Sequence, residues 1–288
     1  MSQQKLSFAK KVLTATIGLG LTSILATTAA YAKDFVVSTQ TLYLIAKEVT
    51  KGVEEPVLLI NSHDTGHDAQ LTPKARQAMQ DAKQILWYGK QYEESLASTL
   101  GKDKKAIAIY DYNLVHRLPE RDVNGKPIAN TLDPHVWLDP MNASRIAFFI
   151  ANLRGQQLPA QKQKLQENAR NFSKRMADAS RANANNREQP YWAYHDAYQY
   201  LERSLNLKYA GGLTADHHLA PTAAQIVNLN KSRPKPNMCL LAEYDADSSL
   251  QQKLAPVKMM RVDEAMSKET DFVQGWINLA NTVKNCTQ

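Results

Sequence analysis

The chain has 288 residues, 35 basic and 28 acidic side chains, a formal net charge of +7 and 43% hydrophobic residues. Residues 1–32 carry three lysines and no acid, so the remaining chain stands at +4. So mild an excess supplies neither the basic footprint of a nucleic-acid binder nor a diffuse acidic trap for cations, and any cation site must be local.

The first predicted element is a leader. Lys5, Lys10 and Lys11 precede an apolar run from Val12 to Ala26, and small residues follow, ending Ala30-Tyr31-Ala32. This pattern reads as a secretory signal peptide cleaved after Ala32. The alternative, a membrane anchor, fits poorly because the apolar run is short for a bilayer span and no later segment reaches 18 apolar residues. No cysteine lies in or just after the leader, so lipid attachment there is not expected. An exported protein that does not itself span the membrane, most simply of a Gram-negative periplasm, is the expectation.

Residues 34–112 alternate short β-rich runs with amphipathic stretches: "DFVVS", "TLYLIAKEVTKG", "EPVLLI", the loop "NSHDTGHDAQ", "TPKARQAMQDA", "QILWYG", "KQYEESLASTLG" and "KAIAIYDY". Such alternation predicts βα units around a mostly parallel sheet. A polar connection, "NLVHRLPERDVNGKPIANT", leads to "TLDPHVWLDP", where two Asp-Pro pairs frame His135. Proline restricts its own φ and the residue before it, so His135 sits on stiff backbone. Asp133 and Asp139 read as turn residues.

Helical spacing follows in "MNASRIAFFIANLR", with Ile146, Phe149, Ile150 and Leu153 on one face and Gly155 and Pro159 as interruptions. From Pro159 to about Ala184 a narrow seam of Leu165, Ala169, Phe172, Met176 and Ala179 predicts one long helix, about 40 Å at 1.5 Å per residue. From Pro190 the alternation resumes through "YWAYHDAY", "LKYAGGLT", "TAAQIVNLNKSR", "NMCLLAEY", "SSLQQKLA", "VKMMRVDEA" and a final amphipathic stretch. The fold class expected is α/β: two lobes, each a mostly parallel sheet flanked by helices, joined by one long rigid helix. The expected divisions are a signal peptide (1–32), an N-terminal lobe (33–140), a linking helical segment (141–189) and a C-terminal lobe (190–288).

The only cysteines are Cys239 and Cys286. In an exported chain two cysteines most simply form a disulfide, here tying the last helix to a strand. Free thiols or a metal site are the alternatives, but no C-x-x-C spacing supports the latter.

The seven histidines are 63, 67, 116, 135, 195, 217 and 218. His67, His135 and His195 come from separate segments where a strand-like run gives way to loop or helix. They are placed to converge in the cleft where ligands of open α/β sheets bind. Neutral imidazole suits zinc, and Asp263, after "KMMRV", is the matching fourth position, with water as its substitute. His63, four residues before His67, and His217 with His218 read as surface loop residues or additional ligands. Asp68 and Asp196 follow ligand candidates and read equally as orienting partners or helix caps.

The segments "GHDAQLTP", "DPHVWLDP" and "HDAYQYLE" resemble, in order, those of the metal-binding solute-binding proteins of bacterial zinc and manganese ABC importers. The resemblance runs from about Asp34 to Cys286. It implies two lobes on a rigid helix, no enzymatic activity, and partnership with an importer permease and its ATPase. It also implies His67, His135, His195 and Asp263 as metal ligands. A histidine at 195 favours Zn2+ over Mn2+, since manganese-binding relatives tend to carry glutamate there. The cysteine pair also resembles the zinc branch. The departure is the connection before "DPHVWLDP", which has only His116 where many members carry a histidine-rich run. A monomer is expected, with no nucleic-acid partner. A periplasmic zinc hydrolase is the competing reading, but no H-E-x-x-H or G-x-S-x-G occurs. A scaffolding role has no specific feature.

Overall fold

The apolar runs pair as parallel strands because the helical stretches between them return the chain each time to the same end of a sheet. The computed structural model describes residues 34–61, 69–215, 219–243 and 246–288. Expectations for the leader, for His63, His67 and Asp68, and for His217 and His218 therefore fall outside the described residues.

In the first sheet, β1 (Phe35–Val37) is followed by α1 (Gln40–Thr50), β2 (Val57–Leu58), α2 (Pro73–Asp81), β3 (Gln84–Trp87), the short α3 (Ala97–Leu100) and β4 (Ala106–Ala108). The strand order is β2-β1-β3-β4 and every pairing is parallel. Thr72 caps α2 by accepting a hydrogen bond from Ala75 N, with Pro73 at the first helical position.

Two antiparallel helices follow, α4 (Pro140–Gln157) and α5 (Lys162–Asn183), the latter preceded by a 3-10 turn at Pro159–Gln161. Gly155 does not interrupt α4. Its missing Cβ leaves room for Lys162, whose Cγ lies 3.1 Å from where a Cβ would stand, so α5 can start close against α4. The helix ends instead at Leu158, where Pro159 follows. The 22 residues of α5 span about 33 Å, shorter than the sequence reading because the first turn is 3-10.

The second sheet contains β5 (Gln189–Ala193), β6 (Leu207–Gly212), β7 (Met238–Ala242) and β8 (Val257–Arg261), ordered β6-β5-β7-β8 and all parallel. Its helices are the short α6 (Glu202–Leu205), α7 (Ala223–Lys231), α8 (Ser249–Lys253) and the C-terminal α9 (Phe272–Thr287). The two sheets thus repeat one topology.

Strand side chains alternate between two apolar layers, as a period of two requires. Phe35, Val37, Leu86, Tyr191, Cys239 and Leu241 face a central core shared with α1, α4, α5 and α9. Val36, Ile85 and Trp87 pack outward with Met79 and Leu100, while Trp192 and Leu240 pack outward with Leu229 and Leu250. The seam of α5, from Leu165 to Ala179, lies wholly in the central core. That core is continuous from one sheet to the other.

Two buried features anchor it. Arg154, 1% exposed, forms a two-pronged ion pair with Glu54 at 2.6 and 2.7 Å and stacks on Phe35. Cys239 and Cys286 are disulfide-bonded, as expected, with Cα atoms 5.2 Å apart.

Candidate metal centre

Strand order reverses between β1 and β3 in one sheet and between β5 and β7 in the other, and such points open crevices at the carboxyl ends of strands. The chain brings His135 and His195 together there, with ring centroids 5.6 Å apart and both side chains buried (4% and 7% exposed).

The Asp-Pro pairs explain how His135 is held. Asp139 caps α4, accepting from Met141 N at 2.7 Å, with Pro140 as the first helical residue. Asp133 Oδ1 accepts from the His135 backbone N–H at 3.0 Å and pairs with its ring Nδ1 at 2.8 Å. Asp133 Oδ2 accepts from Gln199 at 3.0 Å. Burial pushes the Asp133 carboxyl up to about 6, against the pull of the His135 N–H, Gln199, Arg121 and His195. The 3-10 turn Val136–Leu138 that follows is pinned by two indoles: Trp137 Nε1 donates to Glu264 O and Trp276 Nε1 donates to Leu138 O, both at 2.9 Å.

His195 follows β5. The end of that strand is locked by Tyr194 N donating to Leu241 O at 2.8 Å and Thr214 N donating to Tyr194 O at 2.8 Å. Its Nδ1 pairs with the carboxylate of Glu243, the first residue after β7. Burial pushes the His195 imidazole down, but the carboxylates of Glu243, Glu264 and Asp196 overcome this and leave it raised. Glu264 is itself raised by burial and held back by His195.

Both imidazoles therefore present the arrangement in which a carboxylate engages Nδ1, fixes the tautomer and strengthens Nε2 as a metal donor. Among the described residues, no group of three or more His, Cys, Asp or Glu side chains is gathered that could hold a metal ion. The described part of the site is this histidine pair with its acids. Of the other sequence candidates, Asp263 turns its Oδ2 to Ser267 N and Oγ at 2.8 and 2.7 Å. Asp196 turns its carboxylate to Arg121. His116 lines a surface cavity of about 610 Å³ with Arg117, Arg145 and Arg203.

Sequence reasoning missed Glu243, Glu264 and the ring contact of Asp133. A signal existed for the first: an acid closing the apolar strand "MCLLA" stands at the carboxyl end of a strand that pairs with the His195 strand. Glu93 was missed too. It is fully buried at the reversal point of the first sheet, bound by Ser38 Oγ and by Gly89 N at 2.8 Å, and burial pushes its carboxyl up to about 7.

A family model described as zinc-uptake complex component A, periplasmic, matches residues 35–285. A high-affinity zinc uptake system protein from Brucella abortus (strain 2308) is 26% identical over 304 aligned positions, covering 87% of this chain and 90% of its own. A protein of the same description from Haemophilus ducreyi is 27% identical over 264, covering 82% and 83%. Among solved structures, Zn(II)-bound AdcA from Streptococcus pneumoniae superposes with a TM-score of 0.66 at 22% identity, over 88% of this chain and 57% of its own. At that identity the likeness shows the fold. The family match covers both sheets, the helices between them and every described element of the histidine site, and the chain belongs to the periplasmic zinc-uptake component A family.

Proposed function

We propose that this protein captures Zn2+ in the crevice between its two sheets and delivers it to an importer permease powered by an ATPase. The observation that carries the reading is the buried pair His135 and His195, 5.6 Å apart, each with a carboxylate on Nδ1. Imidazole nitrogen is a favoured zinc donor, whereas a hard ion such as Mn2+ suits carboxylate oxygen. The chain lies in the periplasm after removal of residues 1–32. In this reading His67 joins His135 and His195 as ligands, and an acid from the end of β8 completes the set. Asp263 is the candidate by sequence. Glu264 is the candidate by electrostatics, because its charge acts on His195 while Asp263 is engaged by Ser267.

The test is elemental analysis of protein purified from the periplasm without added metal, followed by chelator competition with Zn2+ and Mn2+. About one zinc per chain and tighter zinc than manganese binding is expected. Absence of zinc, or preference for manganese, overturns the reading. Comparing Asp263→Ala with Glu264→Ala in the same titration assigns the acid.

A further inference from the structure

We infer that Arg121 sets the metal preference of the site by withholding the Asp196 carboxylate from the cation. The inference rests on the zinc-binding reading above. Arg121 belongs to the connection between β4 and the His135 turn, which forms a small hairpin closed by Ile128 N donating to Glu120 O at 2.8 Å and by Asp122 N donating to Lys126 O at 2.9 Å. Its tight turn passes through Gly125 at φ +83°. The hairpin lies on the second sheet: Val123 O accepts from Gly212 N, Tyr200 Oη from Leu118 N and Pro119 O from Gln199 Nε2, each at 2.9 Å.

That docking delivers one guanidinium to the residue beside His195. Arg121 Nε donates to Asp196 Oδ2 at 2.7 Å and Nη2 donates to Asp196 Oδ1 at 2.8 Å, so both oxygens are engaged in a fork. Nη2 also donates to Glu202 Oε1 at 2.6 Å, and the guanidinium stacks on Tyr209 at 4.4 Å. The side chains of Arg121 and Asp196 are 11% and 8% exposed, so water does not stand in readily for either partner. Asp196 is the residue directly after His195, so the fork fixes a carboxylate one position from a candidate ligand. A carboxylate next to a ligand histidine is a potential hard oxygen donor, and oxygen donors shift a site from zinc toward manganese. Arg121 occupies it. Removing the guanidinium leaves a buried, uncompensated carboxylate, for which a metal held by the neighbouring His195 is a compensating cation.

The test uses the full chain and measures Zn2+ and Mn2+ affinities by chelator competition, with thermal unfolding as a check on folding. In Arg121→Met the zinc-to-manganese preference should fall at least tenfold, chiefly through tighter manganese binding. The double variant Arg121→Met/Asp196→Asn should recover the wild-type preference, because the released oxygen donor is gone. Arg121→Lys, which keeps the charge but cannot form the fork, should fall between wild type and Arg121→Met. A purely structural Arg121 would weaken both metals alike, so an unchanged ratio in Arg121→Met and Arg121→Lys overturns the inference. Failure of the double variant to recover the ratio overturns it as well. A wild-type protein that binds neither metal sinks the proposed function and this inference with it, an outcome distinct from an unchanged ratio on a zinc-binding wild type.

Discussion

A histidine whose Nδ1 is engaged by a carboxylate is a better metal donor than one in water, because the tautomer and ring angle are chosen before the metal arrives. Asp133 does this for His135 and Glu243 for His195, so Asp133→Asn and Glu243→Gln should each weaken zinc binding by about 10- to 100-fold, read by chelator competition. A wild-type affinity in both would remove these carboxylates from the site. Glu93 carries a different consequence, on stability. Its carboxyl is raised from 4.5 to about 7 by burial, so in the folded state it holds its proton where the unfolded chain has lost it. Its contribution is fully present below pH 4.5 and is lost as pH rises through about 7. Shifts of this size correspond to at most about 3 kcal/mol. Glu93→Gln should therefore match wild type in denaturant unfolding at about pH 4 and exceed it at about pH 8; equal curves at both pH values would contradict the assignment.

At the scale of elements, the disulfide and the long helix do separate work. Cys239 lies near the start of β7 and Glu243 just past its end, about 13 Å apart at the rise of a strand. The cross-link joins residues separated by 47 positions and should stabilise the fold by about 4 kcal/mol on the chain-entropy model. The double replacement Cys239→Ala/Cys286→Ala is expected to lower the unfolding free energy by several kcal/mol while leaving zinc affinity within about twofold. A large loss of affinity would mean that the pinning of α9 reaches the crevice. On α5, Phe172 meets Phe272 of α9 with ring centroids 5.6 Å apart, both in the central core. Phe172→Ala should cost about 3–5 kcal/mol in chemical denaturation, since it empties space between elements that cannot collapse independently.

For the whole molecule, the continuous core and the two indole hydrogen bonds that pin the His135 turn argue against wide hinge motion. Arg175 adds a surface clamp, pairing with Glu48 of α1 at 2.7 Å and Asp271 at the start of α9 at 2.6 Å. Heating should therefore unfold residues 34–288 in one cooperative transition, with calorimetric and van't Hoff enthalpies equal. Two resolved transitions would show that the lobes are energetically separate. Zinc at 1,000 times its dissociation constant should add about 4 kcal/mol of stability by mass action.

Much of this was legible in the sequence, because the information is local. Strand and helix alternation, the α5 seam and the pairing of two cysteines each depend on neighbours along the chain or on a single choice of partner. "DPHVWLDP" marked His135 because two prolines restrict the backbone wherever the segment lies. The acids around the histidines were not legible. Glu243 pairs with His195, and the charge of Glu264 acts on it, only because β7 lies beside β5 and β8 beside β7, and parallel pairing joins residues tens of positions apart. Arg121 is the plainest case, a charged residue in a polar connection with nothing local to distinguish it from its neighbours. Its partner is 75 positions away, and only the docking of the hairpin on β6 brings the two together. Residue type and local stiffness are properties of the chain, whereas charge pairing in a crevice is a property of distances that exist only after both sheets have formed.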